Sequence, residues 1–283
     1  MALAGLAEGA GSSYFIAAEE VEWDYAPSGK DLCKDSEDAL EGSSKFRKAA
    51  FVEYTDGTFK ASNQSGCGDS AGCSAAPQQH PSAWRPGTEL SLRCLLQVKK
   101  PKAADMAHTG LLGPVIRASV GESLGVTLLN RLSFPVNIAP SGLQGAADGA
   151  DAAADFAPAA EPGGTASYAW SVPAAAALPA GEAGAKFWLY QSTVDIEAHA
   201  NAGLLGGVLV TAQPRNASAA EPGSGAAPVD VITIFQVVDE SKSPFHGEGM
   251  EDMGVHDLST HWHAINGYVW CNLPQPEAEQ GQR

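Results

Sequence analysis

The sequence predicts an all-β fold: an antiparallel β-sandwich followed by the opening strands of a second one. Three observations carry this. The patterned stretches are short, rich in β-branched and aromatic residues, and punctuated by Gly and Pro. No long helical periodicity competes with them. After a Pro/Ala/Gly-rich linker the strand pattern restarts at residue 229, with too little chain left to close a sandwich, which needs about 100 residues.

SYFIAAEEVEW (13–23) opens the fold as a strand. It puts Phe15, Ala17, Val21 and Trp23 on one face, because alternate side chains share a face. AAFVEYT (49–55) is the next strand. PVIRASV (114–120) and LGVTLLN (124–130) read as a strand pair joined by a tight turn at Gly121-Glu122-Ser123. FPVNI (134–138), ASYAWSV (166–172), KFWLYQS (186–192) and GLLGGVLVTA (203–212) follow. Three tracts, 61–105, 144–165 and 173–185, are dominated by small or polar residues and are expected to be mobile loops that bury little area. QPRNASAAEPGSGAAP (213–228) is a linker. The expected organisation is thus one sandwich over 12–212 and the start of another over 229–283, where VDVITIFQVVDE (229–240) and HWHAINGYVW (261–270) supply two strands. A sandwich left open in this way leads us to expect that the chain is a piece of something longer.

With 283 residues, 44% of them hydrophobic, the chain can build a sizeable core. Its 33 acidic residues outnumber 17 basic ones, for a net charge of −16. Such a surface repels phosphate backbones and anionic headgroups, so nucleic acid and membrane surfaces are poor partners. The longest apolar run, GLLGGVLV (203–210), falls well short of the ~20 residues that span a bilayer. MALAGLAEGAGSS, at the start, lacks the basic and apolar regions of a signal peptide. Asn63-Gln64-Ser65 and Asn216-Ala217-Ser218 match the glycosylation triplet and lean toward a secretory route.

The five cysteines are Cys33, Cys67, Cys73, Cys94 and Cys271. CGDSAGC (67–73) is too widely spaced for a zinc half-site, and a local Cys67–Cys73 disulfide is left open. GESLG (121–125) matches the nucleophile-elbow pattern. That motif needs a helix after it, whereas GVTLLN reads as a strand, so Ser123 is expected to sit in a turn. Asp148, Asp151 and Asp155 form a solvated acidic loop, with calcium binding as the alternative. Of the seven histidines, only His261 and His263 are paired at short ligand spacing.

A set of stretches, in order, carries a resemblance: YFIAAEEVEWDYAPSG (14–29), FVEYTDGTF (51–59), HTGLLGPVIRASVGES (108–123), SYAWSVP (167–173), LYQSTVD (189–195), GLLGGVLV (203–210), FQVVDE (235–240) and HAINGYVWCNLP (263–274). Together they resemble the ceruloplasmin family of multicopper ferroxidases, which includes ceruloplasmin, hephaestin, algal multicopper ferroxidases and the A domains of coagulation factors five and eight. The resemblance implies tandem Greek-key cupredoxin (plastocyanin-like) domains. This chain would be one odd-numbered domain with the start of its even-numbered partner, packed against neighbouring cupredoxin domains of the same parent. It also implies copper in that parent, Fe(II) as its substrate, reduction of dioxygen to water, and an extracellular or cell-surface location.

In copper-bearing members, two His-x-His pairs from such a domain hold the trinuclear cluster. The matching stretches here are NIAPSGL (137–143) and YQSTVD (190–195), so Ala139, Ser141, Gln191 and Thr193 stand where the family has histidine. Ala has no donor, and neutral Ser, Thr and Gln oxygens are poor copper ligands beside imidazole. The resemblance is therefore closest to a copper-free odd-numbered domain. No catalytic, cofactor-binding or metal-binding residue is assigned to this chain, and no copper is expected bound to it. His261-Trp262-His263 matches the family's Met-His-Ala-Ile-Asn-Gly segment, which carries no copper. Family cysteines near the LYQS and GLLGG strands are replaced, the second by Thr211. A non-catalytic binding or scaffold module, like the coagulation-factor A domains, is the alternative reading.

Overall fold

The computed structural model describes residues 11–34, 44–59, 99–147, 157–179, 181–182, 184–213, 230–246 and 261–275. Two sheets face one another. The first contains β1 (Ser13–Asp24), β2 (Lys45–Tyr54), β4 (Ser123–Asn130), β6 (Gln144–Ala147) and β7 (Thr165–Ser171), in the order β2-β1-β4-β7-β6. The second contains β3 (Ile116–Ser119), β5 (Ala139–Pro140), β8 (Ala185–Gln191) and β9 (Leu205–Thr211), in the order β3-β9-β8-β5. One short helix, α1 (Ile196–Ala202), connects β8 to β9. A further two-stranded sheet pairs β10 (Phe235–Asp239) with β11 (His261–Ile265). The chain is an all-β sandwich with one short helix among its described residues.

Local sequence explains the inward faces. In β4 the alternation of SLGVTLLN buries Leu124, Val126, Leu128 and Asn130 and leaves the intervening residues partly exposed. These meet Ile16, Ala18, Phe51, Ile116, Trp170, Tyr190, Val208 and Val210 in one core between the sheets. Each large side chain buried there contributes about 1.5–3 kcal/mol. The glycines of the GLLGP and GLLGG blocks seat one of them. A Cβ on Gly113 or Gly206 would lie 2.4 and 2.3 Å from the Tyr190 hydroxyl. That hydroxyl donates to the Pro114 carbonyl at 2.7 Å. Small residues are needed because a buried tyrosine passes directly over the backbone.

The structure corrects several expectations. The 114–120 and 124–130 strands do not pair with each other. β3 runs parallel to β9 and β4 runs parallel to β1, so the turn at Gly121 carries the chain from one sheet to the other. The sandwich is therefore mixed rather than purely antiparallel. FPVNI is not a ladder strand: Val136 makes an isolated bridge to Ala160, and regular pairing begins at Ala139. Phe15 and Ala17 do share a face, but they belong to an outer cluster with Tyr54 and Phe59, while Ile16 and Ala18 face the main core.

Two tracts expected to bury little are mostly exposed where they are described, but each is anchored. Gln144–Ala147 forms the edge strand β6, with Gln144 and Gly145 exposed, and Ala160 is buried. Ala176 and Ala177 are buried, and the Trp188 indole donates to the Ala176 carbonyl at 2.7 Å. Alanine fits beneath larger neighbours without bulk of its own, which composition alone does not reveal.

Residues 230–246 and 261–275 lie against the edge of the sandwich. Tyr25, Phe46, Val238, Trp262, Ala264 and Val269 form a second core there, with Tyr25 stacked on Trp262 at 5.3 Å. The Val269 amide donates to the Tyr25 carbonyl at 3.0 Å, and the Trp23 indole to the Gly267 carbonyl at 2.6 Å. Asn266 explains why HAING carries asparagine. Its φ of 53° is one that asparagine tolerates, and its side-chain amide donates to the carbonyls of His108 and Ile232 at 2.8 and 2.7 Å. A disulfide, Cys33–Cys271, closes the same seam.

Candidate functional site

The two stretches singled out as vacant copper positions converge. β5 and the end of β8 pair antiparallel, with Ala139 opposite Gln191 and Pro140 opposite Tyr190. The Ser141 amide donates to the Leu189 carbonyl at 2.7 Å. Thr193 lies just beyond, where its amide donates to Asn137 Oδ1 at 2.7 Å and its hydroxyl oxygen accepts from Asn137 Nδ2 at 2.9 Å. The two stretches therefore lie side by side at the edge of the second sheet.

The surrounding chemistry does not suit copper. Asn137 is buried and also donates to the Ala157 carbonyl at 2.8 Å. Buried Ser192 donates to Asn137 Oδ1 at 3.3 Å and is 2.7 Å from His199 Nδ1. This is a neutral network whose donors and acceptors satisfy one another, with no imidazole at any of the four positions. Among the described residues, no group of three or more His, Cys, Asp or Glu side chains lies close enough to hold a metal ion.

His199 is the one imidazole near this network. It sits on α1, which sequence periodicity missed because the helix has only seven residues. Its signals were present: Asp195 caps it by accepting from the Ala198 amide at 3.0 Å, and Gly203 ends it at φ 107°. The ring is buried, with its centroid 4.9 Å from that of Phe134. Burial pushes its pKa below the ordinary histidine range, and Asp195 partly opposes this. The unfolded chain then takes up a proton before the folded one does. Stability from the neutral ring is complete above about pH 6.5 and is lost as pH falls toward the folded value. We expect the urea midpoint to drop between pH 7.5 and 5.5, and His199→Gln to remove part of that drop. Identical pH slopes for the two proteins would show that His199 has no such role.

The remaining candidates behave as a strand and a turn. In HWHAINGYVW, Trp262 points into the second core while His261 and His263 are on the exposed face of β11. His261 Nε2 is 3.2 Å from Asp239 Oδ2, its neighbour across the ladder. In GESLG, Ser123 begins β4, and Glu122 accepts from the Ser119 amide at 3.0 Å, closing a turn between strands. The Cys67/Cys73 pair, Cys94, His80, His256, the glycosylation triplets at Asn63 and Asn216, and the Asp148–Asp155 loop lie outside the described residues.

Sequence reasoning missed a polar cluster at the seam. Lys48 is fully buried in β2 with its Nζ 2.8 Å from Glu240 Oε1, and Tyr25 donates to the same oxygen at 2.5 Å. Lys48 also donates to the Asn201 carbonyl. Burial pushes Lys48 down and Tyr25 up, while Glu240 pulls Lys48 back toward its charged form. Lysine and glutamate read as surface residues in isolation, so only their opposite charges hinted at the pair.

No family model matches the chain. Curated relatives do. Hephaestin of Rattus norvegicus is 28% identical over 95% of this chain and 22% of its own length. Ferroxidase HEPHL1 of Homo sapiens is 29% identical over 92% of this chain and 22% of its own. Coagulation factor VIII of Homo sapiens is 29% identical over 95% of this chain and 10% of its own. The chain thus spans under a quarter of the length of these relatives. The solved multicopper oxidase mgLAC aligns at a TM-score of 0.44 and 15% identity, over 92% of this chain and 54% of its own, too loosely to support any argument.

Proposed function

From a resemblance to the ceruloplasmin/hephaestin family that these relatives bear out, we propose that the chain is a segment of a ceruloplasmin-like multicopper ferroxidase. Its parent would oxidise Fe(II) to Fe(III), reduce dioxygen to water and serve iron and copper homeostasis. Within that parent this segment is structural. The observation that carries this assignment is the convergence of Ala139, Ser141, Gln191 and Thr193 with no imidazole among them, in a chain that aligns with hephaestin over 95% of its length and with ferroxidase HEPHL1 over 92%. Copper belongs to the parent's other domains, and no step of the chemistry passes through residues of this chain.

We further infer that residues 12–212 form one cupredoxin domain, 213–228 a linker and 229–283 the start of a second. The isolated pairing of β10 with β11 supports this, as does their open face, where Phe235 and Val237 are 76% and 56% exposed. Neighbouring cupredoxin domains are the partners such a face fits. An extracellular or cell-surface location is supported by the Cys33–Cys271 disulfide, a bond that persists in oxidising compartments. Among the described residues, no helix is long and apolar enough to cross a membrane.

A scaffold module is the second reading, favoured by the equal resemblance to factor VIII, 29% identical over 95% of the chain. The native protein decides between them. It should be captured from its source with an antibody to residues 12–60, then assayed for size, copper, blue absorbance and Fe(II) oxidation. We expect a species several times heavier than 29.1 kDa with copper and activity. A heavy but copper-free and inactive species would establish the scaffold instead, and a native species of 29.1 kDa would end the ferroxidase reading.

A further inference from the structure

Three rings form a row at the seam. Tyr25 stacks on Trp262, with centroids 5.3 Å apart and planes at 15°. Trp262 meets Trp270 edge to face, also at 5.3 Å. Tyr25 and Trp262 are buried and Trp270 is part-exposed, so the row runs from the surface into the core. Contacts of this kind are ordinary aromatic packing. Two further observations set this row apart.

The first lies at its inner end. The Tyr25 hydroxyl donates to Glu240 Oε1 at 2.5 Å, a charge-assisted bond to a buried carboxylate. A base in hydrogen-bond contact is placed to take the proton directly. Burial and the Glu240 charge both push the Tyr25 pKa up, so the phenol keeps that proton until it loses an electron. The second lies at the middle of the row. Trp262 Nε1 is buried and has no hydrogen-bond partner among the described residues. Buried donors are seldom left unpaired. An oxidised indole is acidic, but with no base at Nε1 it keeps its proton and passes the electron vacancy on. Only at Tyr25 is there a base to make the oxidation local and lasting.

We propose that Trp270, Trp262 and Tyr25 form a relay that draws a one-electron oxidising equivalent from the surface to Tyr25, where it is held as a neutral phenoxyl radical. The oxidant is a radical or other one-electron acceptor that meets Trp270. It gains one electron from the Trp270 indole. Trp262 refills Trp270, and Tyr25 refills Trp262. As Tyr25 gives up its electron, its hydroxyl proton moves to Glu240 Oε1. The products are the reduced oxidant, a neutral Tyr25 phenoxyl and a neutral Glu240 carboxyl. The positive charge left behind rests on Lys48, which donates to Glu240 and also to the Asn201 carbonyl. A one-electron reductant of the enediol class, such as ascorbate, reverses the sequence: the electron returns through Trp270 and Glu240 gives the proton back. The relay calls on no copper, so it stands or falls independently of the ferroxidase reading.

The test oxidises the full chain with photogenerated tris(bipyridine)ruthenium(III), which is too bulky to enter the core. Electron paramagnetic resonance, with ring-deuterated tyrosine to identify the radical, follows the product. The unaltered chain should give a tyrosyl signal that ascorbate removes. Tyr25→Phe should lose that signal. Tyr54→Phe, which removes another buried tyrosine bonded to a carboxylate, should keep it. Trp262→Phe keeps a ring in the core but one much harder to oxidise, so the tyrosyl signal should form more slowly. Both seam variants should keep the native circular dichroism. In the unaltered chain, added phosphate should not speed formation of the radical, because Glu240 is the base. A tyrosyl signal that survives Tyr25→Phe would overturn the proposal, as would the absence of any tyrosyl signal in the unaltered chain. Formation that accelerates with phosphate would place the radical on a solvent-facing tyrosine instead. An unchanged rate in Trp262→Phe would show that the electron does not pass through Trp262, and the relay would be abandoned.

Discussion

Glu240→Ala is expected to destabilise the chain by about 3–5 kcal/mol, read as a fall in the urea midpoint at pH 7.5. The side chains of Lys48 and Glu240 are 0% and 4% exposed and meet at 2.8 Å. Removing the carboxylate leaves the Lys48 ammonium with the Asn201 carbonyl as its one hydrogen-bond acceptor among the described residues, and takes from the Tyr25 hydroxyl the acceptor it has there. A buried charge without its counter-ion is among the few single changes that cost so much.

The sign of the pH dependence follows from the same geometry. Burial already pushes Lys48 below its ordinary value and Glu240 opposes that shift, so losing Glu240 lowers Lys48 further. A lysine depressed in the folded state penalises folding while it is charged. The deficit should therefore be larger at pH 7.5 than at pH 9.5. Lys48→Met combined with Glu240→Leu removes both charges and should cost far less than Glu240→Ala, because apolar pairs of similar volume replace buried ion pairs at little cost. A loss below about 1 kcal/mol for Glu240→Ala would mean that water reaches Lys48 and the pair does not hold the seam.

What the sequence disclosed and what it withheld divide along physical lines. Strands with clean alternation, such as SLGVTLLN, were legible because burial on one face leaves a period of two in the chain itself. Ala139, Ser141, Gln191 and Thr193 were singled out through a family resemblance rather than a local pattern, and the pairing of Ala139 with Gln191 was not read from the sequence. Partner choice was not legible. The parallel ladders β1–β4 and β3–β9 join residues about a hundred positions apart, and no local pattern encodes them. Lys48 was missed for a related reason: in KFRKAAFVEY it follows Arg47 directly and reads as solvent-facing charge. What buries Lys48 is a segment arriving from position 240.

The second large effect concerns that arriving segment. Cys33→Ser with Cys271→Ser is expected to destabilise the chain by about 3–5 kcal/mol, measured by urea unfolding under non-reducing conditions. The two cysteines are 238 residues apart, so the cross-link closes a long loop in the unfolded chain, where chain-entropy stabilisation is greatest. In the folded state the seam has other ties. The Leu32 amide donates to the Trp270 carbonyl at 3.0 Å, and the Ser28 amide to Asn272 Oδ1 at 3.1 Å. The fold should therefore survive the double substitution with its circular dichroism intact, the loss lying in the freedom the unfolded chain regains. This separates the two seam predictions. Glu240→Ala acts on native contacts and the cysteine substitutions act on the unfolded ensemble, so their costs should add to within about 0.5 kcal/mol when combined. A combined loss well below the sum would mean the disulfide acts by holding the Lys48–Glu240 contact in place. In that case amide exchange in 261–275 should already rise when the cysteines alone are replaced.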